Sequence, residues 1–511
     1  MNKLMKLIYS NKFFALVTLL IQLGYIFAFI FSAVNIRYIL LPSYLISAIL
    51  ILLEVNRHEE SGFKITWIMM IAVIPVIGWF LYIYTHTGLI SRSIKESQYN
   101  AQLAVAGHRC DDSDVIAQMD AEGTDSGLSK FFSNTNYNSV YRNTEMKYYP
   151  LADDILKDIL YELKCAKSFI FLEFFIINST SYMWRAILNV LEQKAQEGVD
   201  VRVMYDGMGS MGITPKDFDR ELEKLGIRCR VFSPVQPLLS TYQNNRDHRK
   251  IIVVDGRCAF SGGFNLADEY INRIKRFGHW KDTGIRVCGE GVAGFTEMFL
   301  SMWYTESGVD EPGFDSFIKS SLKYACPEAE GYIQPYGDSP LDGIQSGRIA
   351  YADILNKAKD YVYIMTPYFA IDEALYEALK YAVSRGVDVK LILPGVPDKK
   401  TPYCLARSYY LDLIDIGVEI YEYTPGFIHA KTTVCDGKRA IVGTINYDYR
   451  SLYLHYECAS LLINVPQIED IEKDAMATIA SSRRIDRAAY DALPWYYRFA
   501  GRVLRFIATV I

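Results

Sequence analysis

One pattern occurs twice in this 511-residue chain, and it limits what the chain can fold into. The first copy runs His248, Arg249, Lys250, four apolar residues, Asp255, six more residues, then Gly262, Gly263, Phe264 and Asn265. The second runs His429, Ala430 and Lys431 through Asp436 to Gly443, Thr444, Ile445 and Asn446. Both read HxKxxxxDxxxxxxGxxN, and two copies with every spacing kept point to a duplicated unit. The flanks repeat as well: Gly198-Val-Asp-Val-Arg-Val returns as Gly386-Val-Asp-Val-Lys-Leu, 188 residues on, while the two motif histidines lie 181 apart. The whole unit has therefore been copied with small insertions and deletions. A period this long implies two similar domains, not a solenoid.

Within the unit, β-type runs alternate with helical periodicity. Ser168 to Ile177 reads as a strand, Met183 to Glu197 as a helix and Val199 to Tyr205 as a strand. This order predicts α/β domains, each a mixed, mostly parallel sheet flanked by helices. We place the first domain at 138–315 and the second at 330–482, with a seam where Pro312, Gly313 and Pro327 interrupt the helix carrying Met298 to Trp303. Residues 91–137, with Asp111, Asp112, Asp114, Asp120, Glu122 and Asp125, read as a polar linker. Residues 483–511 form a basic amphipathic tail. On a helix Arg498, Arg502 and Arg505 share one side, beside an apolar stripe, which suits either a lipid interface or packing on the protein.

Residues 1–90 have the pattern of a membrane anchor. Phe13 to Val34 carries no charge over 22 residues, enough to cross the hydrocarbon. Two further spans are expected at about 38–54, which holds Pro42 and could instead be re-entrant, and 65–84, with Trp67, Trp79, Tyr82 and Tyr84 near its ends. Lys3, Lys6 and Lys12 favour a cytoplasmic N-terminus, and Arg57 with Lys64 a cytoplasmic second loop; with three spans this carries the rest outside. Scattered cysteines and a re-entrant second segment argue the other way. The expectation is a multi-pass protein of the cell membrane, its catalytic domains leaning to the cytoplasmic side. The net charge of −5 gives no support to nucleic-acid binding, and nine scattered cysteines suggest neither a disulfide framework nor a zinc site.

The motif explains its own spacing when read as a hairpin. His248 and Lys250 sit two apart on a strand and share a face. Ile251 to Val254 is buried sheet, and Asp255-Gly256 is a strong hairpin turn that returns Gly262, Gly263 and Asn265 to the starting end. Asp436-Gly437 does the same for the second copy. The motif Asp residues then lie far from the histidines and support the turns. What converges, twice over, is an imidazole, an ammonium, an amide and glycine backbone. Lys250, Lys431, Asn265 and Asn446 can bind the oxygens of a phosphodiester and stabilise a five-coordinate transition state. One His, neutral, can attack phosphorus while the other, protonated, serves the leaving alkoxide as acid and later acts as base. Each His needs a carboxylate to fix its tautomer, and Asp282 and Glu457 stand downstream of the two motifs. A Lys two residues from each His disfavours a metal there, so no cofactor is expected. Thr444 and Ser451 lack triad spacing to any base.

These residues resemble the phospholipase D superfamily, named for its duplicated HxKxxxxD, and more closely its bacterial cardiolipin synthases. Beyond the motifs, the resemblance includes Trp280-Lys-Asp-Thr, Thr366-Pro-Tyr-Phe, Asp448-Tyr-Arg-Ser-Leu and the membrane stretch Ile74-Pro-Val-Ile-Gly. His455 stands where relatives often have Asn, and Ala370-Ile371 where Ile-Pro is common. The resemblance implies two phospholipase D-like domains after N-terminal transmembrane helices and metal-free phosphatidyl transfer between two phosphatidylglycerol molecules, giving cardiolipin and glycerol. It implies His248 as nucleophile and His429 as general acid and base. The alternatives are a phospholipase D or another phosphatidyltransferase of the superfamily, or a membrane scaffold without turnover.

Overall fold

A computed structural model describes residues 37–86, 89–233, 244–307 and 313–510. They group into two units: one holds the N-terminal helices through Ile94 together with Phe506–Val510, and the other begins at Lys95 and holds the sheets.

In the smaller unit the expected span at 13–34 lies outside the described residues. The one at 38–54 falls within a single helix, Arg37–Val55. The one at 65–84 is not one helix but two, Ser61–Val73 and Pro75–His86, parted at Ile74 with φ −125° and ψ 72°. Proline has no N–H to continue the ladder and excludes the preceding residue from helical geometry, so an uncharged 20-residue run cannot stay straight there. The chain doubles back tightly: a Cβ on Gly78 would lie 2.3 Å from the Met70 carbonyl oxygen. Among the described residues no helix is both long and apolar enough to cross a membrane.

In the larger unit the duplication is plain. The first sheet has seven strands in the order Thr144–Tyr149, Gly284–Gly289, Cys258–Gly262, Lys250–Val254, Phe169–Phe174, Asp200–Asp206, Arg228–Phe232. The second has eight: Ser482–Ile485, Glu419–Tyr423, Asp388–Pro394, Tyr361–Met365, Thr432–Cys435, Arg439–Gly443, Glu457–Ile463, Tyr332–Asp338. Both sheets are mixed, but the expectation of mostly parallel pairing is corrected. Only the pairs joined through helical crossovers are parallel, two in each sheet. The motif hairpins and the strands beside them reverse direction and pair antiparallel, as a tight turn demands.

Helices cover the outer faces. Tyr182–Gln196 is capped by the Ser181 hydroxyl, which accepts from Trp184 N at 3.1 Å, and buries Trp184, Ile187 and Leu191 at helical spacing against the first sheet. On the inner faces, Phe171, Val253 and Ile285 of the first half share one apolar core with Met365, Val442 and Leu462 of the second, around Phe299 and Trp303 of the helix Val292–Ser307. The two halves are fused through this core, which fixes the register of the site between them.

Parts of the expected linker and of the basic tail are built into the larger unit. Residues 91–137 are largely helical, within Leu89–Ala106, Ser113–Ala121 and Gly127–Thr135. Phe132 is buried with its ring 4.2 Å from that of Tyr336, and buried Asp112 accepts from Val140 N and Ser133 Oγ at 3.0 and 2.9 Å. Acidic composition had masked the apolar spacing of Leu128 and Phe132. In the tail, Ser482–Ile485 adds an antiparallel edge strand, and the helix Trp495–Arg505 buries Gly501 while exposing Trp495, Tyr496, Phe499 and Val503.

Candidate active site

Each motif is a hairpin with its Asp at the far end. Lys250–Val254 and Cys258–Gly262 are joined through Asp255 and Gly256, with φ of 56° and 65°; Asp436 and Gly437 have 53° and 63°. Two successive left-handed residues make the turn that matches strand twist, which explains Asp-Gly at both positions. The carboxylates do more than turn. Asp255 accepts backbone N–H bonds from Lys167, Ser168 and Phe169 at 2.7, 2.7 and 2.9 Å, and Asp436 from Lys359, Asp360 and Tyr361 at 2.8, 2.9 and 2.9 Å. Each therefore ties its hairpin to the start of the neighbouring strand. The register returns Ser261 beside Ile251, so Gly262 comes back to the level of Lys250.

At the other end the halves exchange partners. His248 N donates to Tyr456 O at 2.8 Å, and His429 N to Lys281 O at 2.7 Å, so each motif His is held by the strand of the opposite half. The carboxylates cross in the same way. His248 Nδ1 lies 2.9 Å from both oxygens of Glu457, and His429 Nδ1 lies 2.7 Å from Asp282 Oδ2. Each carboxylate thus accepts a hydrogen bond from Nδ1–H and leaves Nε2 of its imidazole as the reactive nitrogen.

The two carboxylates are supported differently. Glu457 accepts the hydroxyl protons of Thr444 and of Ser451, the latter at 2.7 Å. Asp282 Oδ1 accepts Thr283 N at 2.9 Å and passes so close to Gly263 that a Cβ there would meet it at 2.0 Å and the His429 carbonyl at 2.8 Å. Gly263 and Thr444 occupy the same motif position, so the first copy makes room for the carboxylate where the second bonds to it. The sequence had shown Thr444 and Ser451 only as hydroxyls without an activating base; their signal was a fixed distance from Asn446, as Tyr270 follows Asn265.

Burial dominates the electrostatics. Desolvation pushes the His248 imidazole down to about 3, against the pull of Glu457, so it is neutral. His429 is held well below its ordinary value by burial and then by Lys431 and Lys250. The same burial lowers Lys250 to about 8 and Lys431 to about 7 and raises Asp282 to about 7. Burial also works to raise Glu457, but the adjacent His248 holds it below the usual carboxylate range. Buried cations of lowered basicity favour an anionic ligand, whose negative charge would raise both lysines and His429 again.

The lysines lie under the histidines. Lys250 Nζ donates to His248 O at 2.6 Å; Lys431 Nζ donates to His429 O and is 2.9 Å from His429 Nδ1. Asn265 receives Ile176 N at 3.1 Å and donates to Tyr270 Oη at 2.7 Å, while Asn446 Nδ2 is 3.5 Å from Asp448 Oδ2 and its Oδ1 has no protein partner among the described residues. Asn265 is thus partly committed to holding the loop that carries Ile176. Phe175 packs edge-on to His248 at 5.0 Å, and Tyr270 to His429 at 5.4 Å, walls that sequence reading did not assign.

The family described as "Cardiolipin synthase, PLD-like domain" matches residues 159–275 and 351–477, one stretch in each half. The chain is similar to an uncharacterized protein of Streptococcus mutans, 43% identical over 90% of this chain and 99% of that one. It is also similar to the cardiolipin synthase of Halalkalibacterium halodurans, 30% identical over 91% of each. Among solved structures, the phosphatidylserine synthase of Haemophilus influenzae shares the fold, with a TM-score of 0.55 at 12% identity over 75% of this chain and 100% of that one.

Proposed function

The chain belongs to the phospholipase D-like cardiolipin synthase family, and on that premise we propose the course of its reaction. It is a phosphatidyltransferase that joins two phosphatidylglycerol molecules into cardiolipin and releases glycerol through a phosphohistidine. The observation that carries the assignment of roles is the crossed pairing of His248 with Glu457 and His429 with Asp282, which turns two half-sites into one.

In the first step His248 Nε2, neutral because it is buried, attacks phosphorus and forms a P–N bond. The P–O bond to the glycerol headgroup breaks on the opposite side, and His429 gives that oxygen its proton. In the second step the hydroxyl of another phosphatidylglycerol attacks phosphorus, His429 takes its proton and the P–N bond breaks. Lys250 and Lys431, with Asn265 and Asn446, face the charge on the phosphoryl oxygens. The Asp255 and Asp436 carboxylates hold the hairpins and touch no reacting atom.

The site of action we propose is the cell membrane, reached through a multi-pass N-terminal anchor, with the catalytic domains on the cytoplasmic side. What supports a membrane location is the uncharged run at 13–34, the exposed Leu45, Leu52, Ile65 and Val73, and the exposed Trp495, Tyr496 and Phe499 on the tail helix. Docking on the bilayer keeps water from the phosphohistidine, so a lipid hydroxyl can intercept it.

The test is purified protein in liposomes of labelled phosphatidylglycerol, without nucleotide or added divalent metal. Cardiolipin and glycerol in equal amounts are expected. Phosphatidic acid as the sole product would make the protein a phospholipase D instead, and no turnover in either liposomes or detergent would leave only a scaffold.

A further inference from the structure

The duplication places two rings at equivalent positions, and the rings differ in chemistry. Trp280 precedes Asp282 by two residues, and its ring lies 5.5 Å from that of His429 at 44°. His455 precedes Glu457 by two residues, and its ring lies 5.5 Å from that of His248 at 43°. Geometry this similar shows that the fold accepts a large ring here without requiring an imidazole. His455 is 8% exposed, yet neither of its ring nitrogens has a hydrogen-bond partner among the described residues. Its Nδ1 lies 3.7 Å from Glu457 Oε1, beyond hydrogen-bond distance, and Glu457 is already occupied by His248, Thr444 and Ser451. Buried polar atoms of a native protein are almost always partnered, so a pair left open beside a nucleophile points to a ligand that supplies the partner.

We propose that His455 is a third imidazole of the reaction, donating a hydrogen bond to a phosphoryl oxygen of the group carried on His248. This rests on the phosphatidyl-transfer reading above. In an in-line displacement the exchanged alcohol enters and leaves on the face away from the nucleophile, toward His429 and its Trp280 wall. The charged phosphoryl group stays on the near side, where His455 stands. The indole thus borders the neutral glycerol and the imidazole the anion, so the inequivalence of the two walls matches the two ends of the reaction.

The experiment compares the full-length parent with His455→Phe and His455→Asn, measuring turnover of phosphatidylglycerol and calorimetric binding of tungstate, a tetrahedral oxyanion. The Phe variant should lose about 100-fold in kcat with KM nearly unchanged and bind tungstate about tenfold more weakly, as when one oxyanion donor is removed. The Asn variant, which keeps an N–H donor, should stay within about fivefold of the parent in both. Should the Phe variant not fold, His455→Leu, which likewise lacks a side-chain donor, carries the same expectations. Tungstate binding unaltered in the Phe or Leu variant, or an Asn variant no better than Phe, would overturn the proposal. Because tungstate needs no lipid, weakened binding in a protein that makes no cardiolipin would retain this inference and reject the lipid reading.

Discussion

At the scale of the residue, function comes down to which carboxylate serves which histidine. Glu457→Gln should act on the nucleophile: the amide can present its N–H to His248, favouring the wrong tautomer, and turnover should fall about 100- to 10,000-fold without phosphohistidine accumulating. Asp282→Asn should slow turnover comparably through His429 while His248 remains able to carry label. Rapid-quench labelling of both variants checks this, and the opposite assignment of the two defects would contradict the crossed geometry. The pH profile follows from the lysines. Burial brings Lys431 to about 7 and Lys250 to about 8 in the free protein, and a lowered lysine loses its charge as pH rises through those values. Hence kcat/KM should decline from about pH 7 to 9, while kcat, which reports the complex whose phosphate keeps both lysines charged, should decline only at higher pH. A kcat/KM flat to about pH 9.5 would refute the assignment of these cations to phosphate binding. The identities of His248, Lys250, His429 and Lys431 were legible in the sequence because the pattern repeats. The exchange of Asp282 and Glu457 was not, since each follows the motif of its own half and only the packing of the halves sends it to the other.

At the scale of the element, the motif is a hairpin clamped at one end and reactive at the other. Asp255→Ala leaves three backbone N–H groups without their acceptor and should cost about 2–4 kcal/mol, read as a lower urea midpoint, while the folded fraction keeps its turnover. An equally stable but inactive Asp255→Ala protein would instead place this carboxylate in the chemistry. Gly263→Ala should show the reverse, a well-folded protein with turnover reduced tenfold or more, because the new Cβ displaces Asp282 from His429. The turns, strands and helix of each unit could be read from Asp-Gly pairs and periodicity. Pairing direction could not, because β–α–β order suggests parallel strands and says nothing of the three antiparallel pairings each motif hairpin takes part in, one within itself and two with its neighbours. The break at Ile74 was written in Pro75, but an uninterrupted apolar run outweighed it in the reading.

At the scale of the whole molecule, duplication gives one active site per chain, and the two copies have diverged within it. Gly263 against Thr444, Asp282 against Glu457 and Trp280 against His455 make the His248 side polar and well braced and the His429 side tighter and more aromatic. That polarity is what a reaction with one carrier and one proton shuttle requires, and it was partly visible as differences between aligned copies. We propose that the two halves make one site in which His248 alone carries the phosphatidyl group. It is tested most directly by quenching the protein during turnover of phosphatidylglycerol labelled in its phosphate, digesting it and locating the acid-labile phosphoryl group by mass spectrometry. Label is expected on His248 at no more than one per chain, lost in His248→Ala and present in His429→Ala; label on His429, or on both histidines at once, would rule out a single carrier.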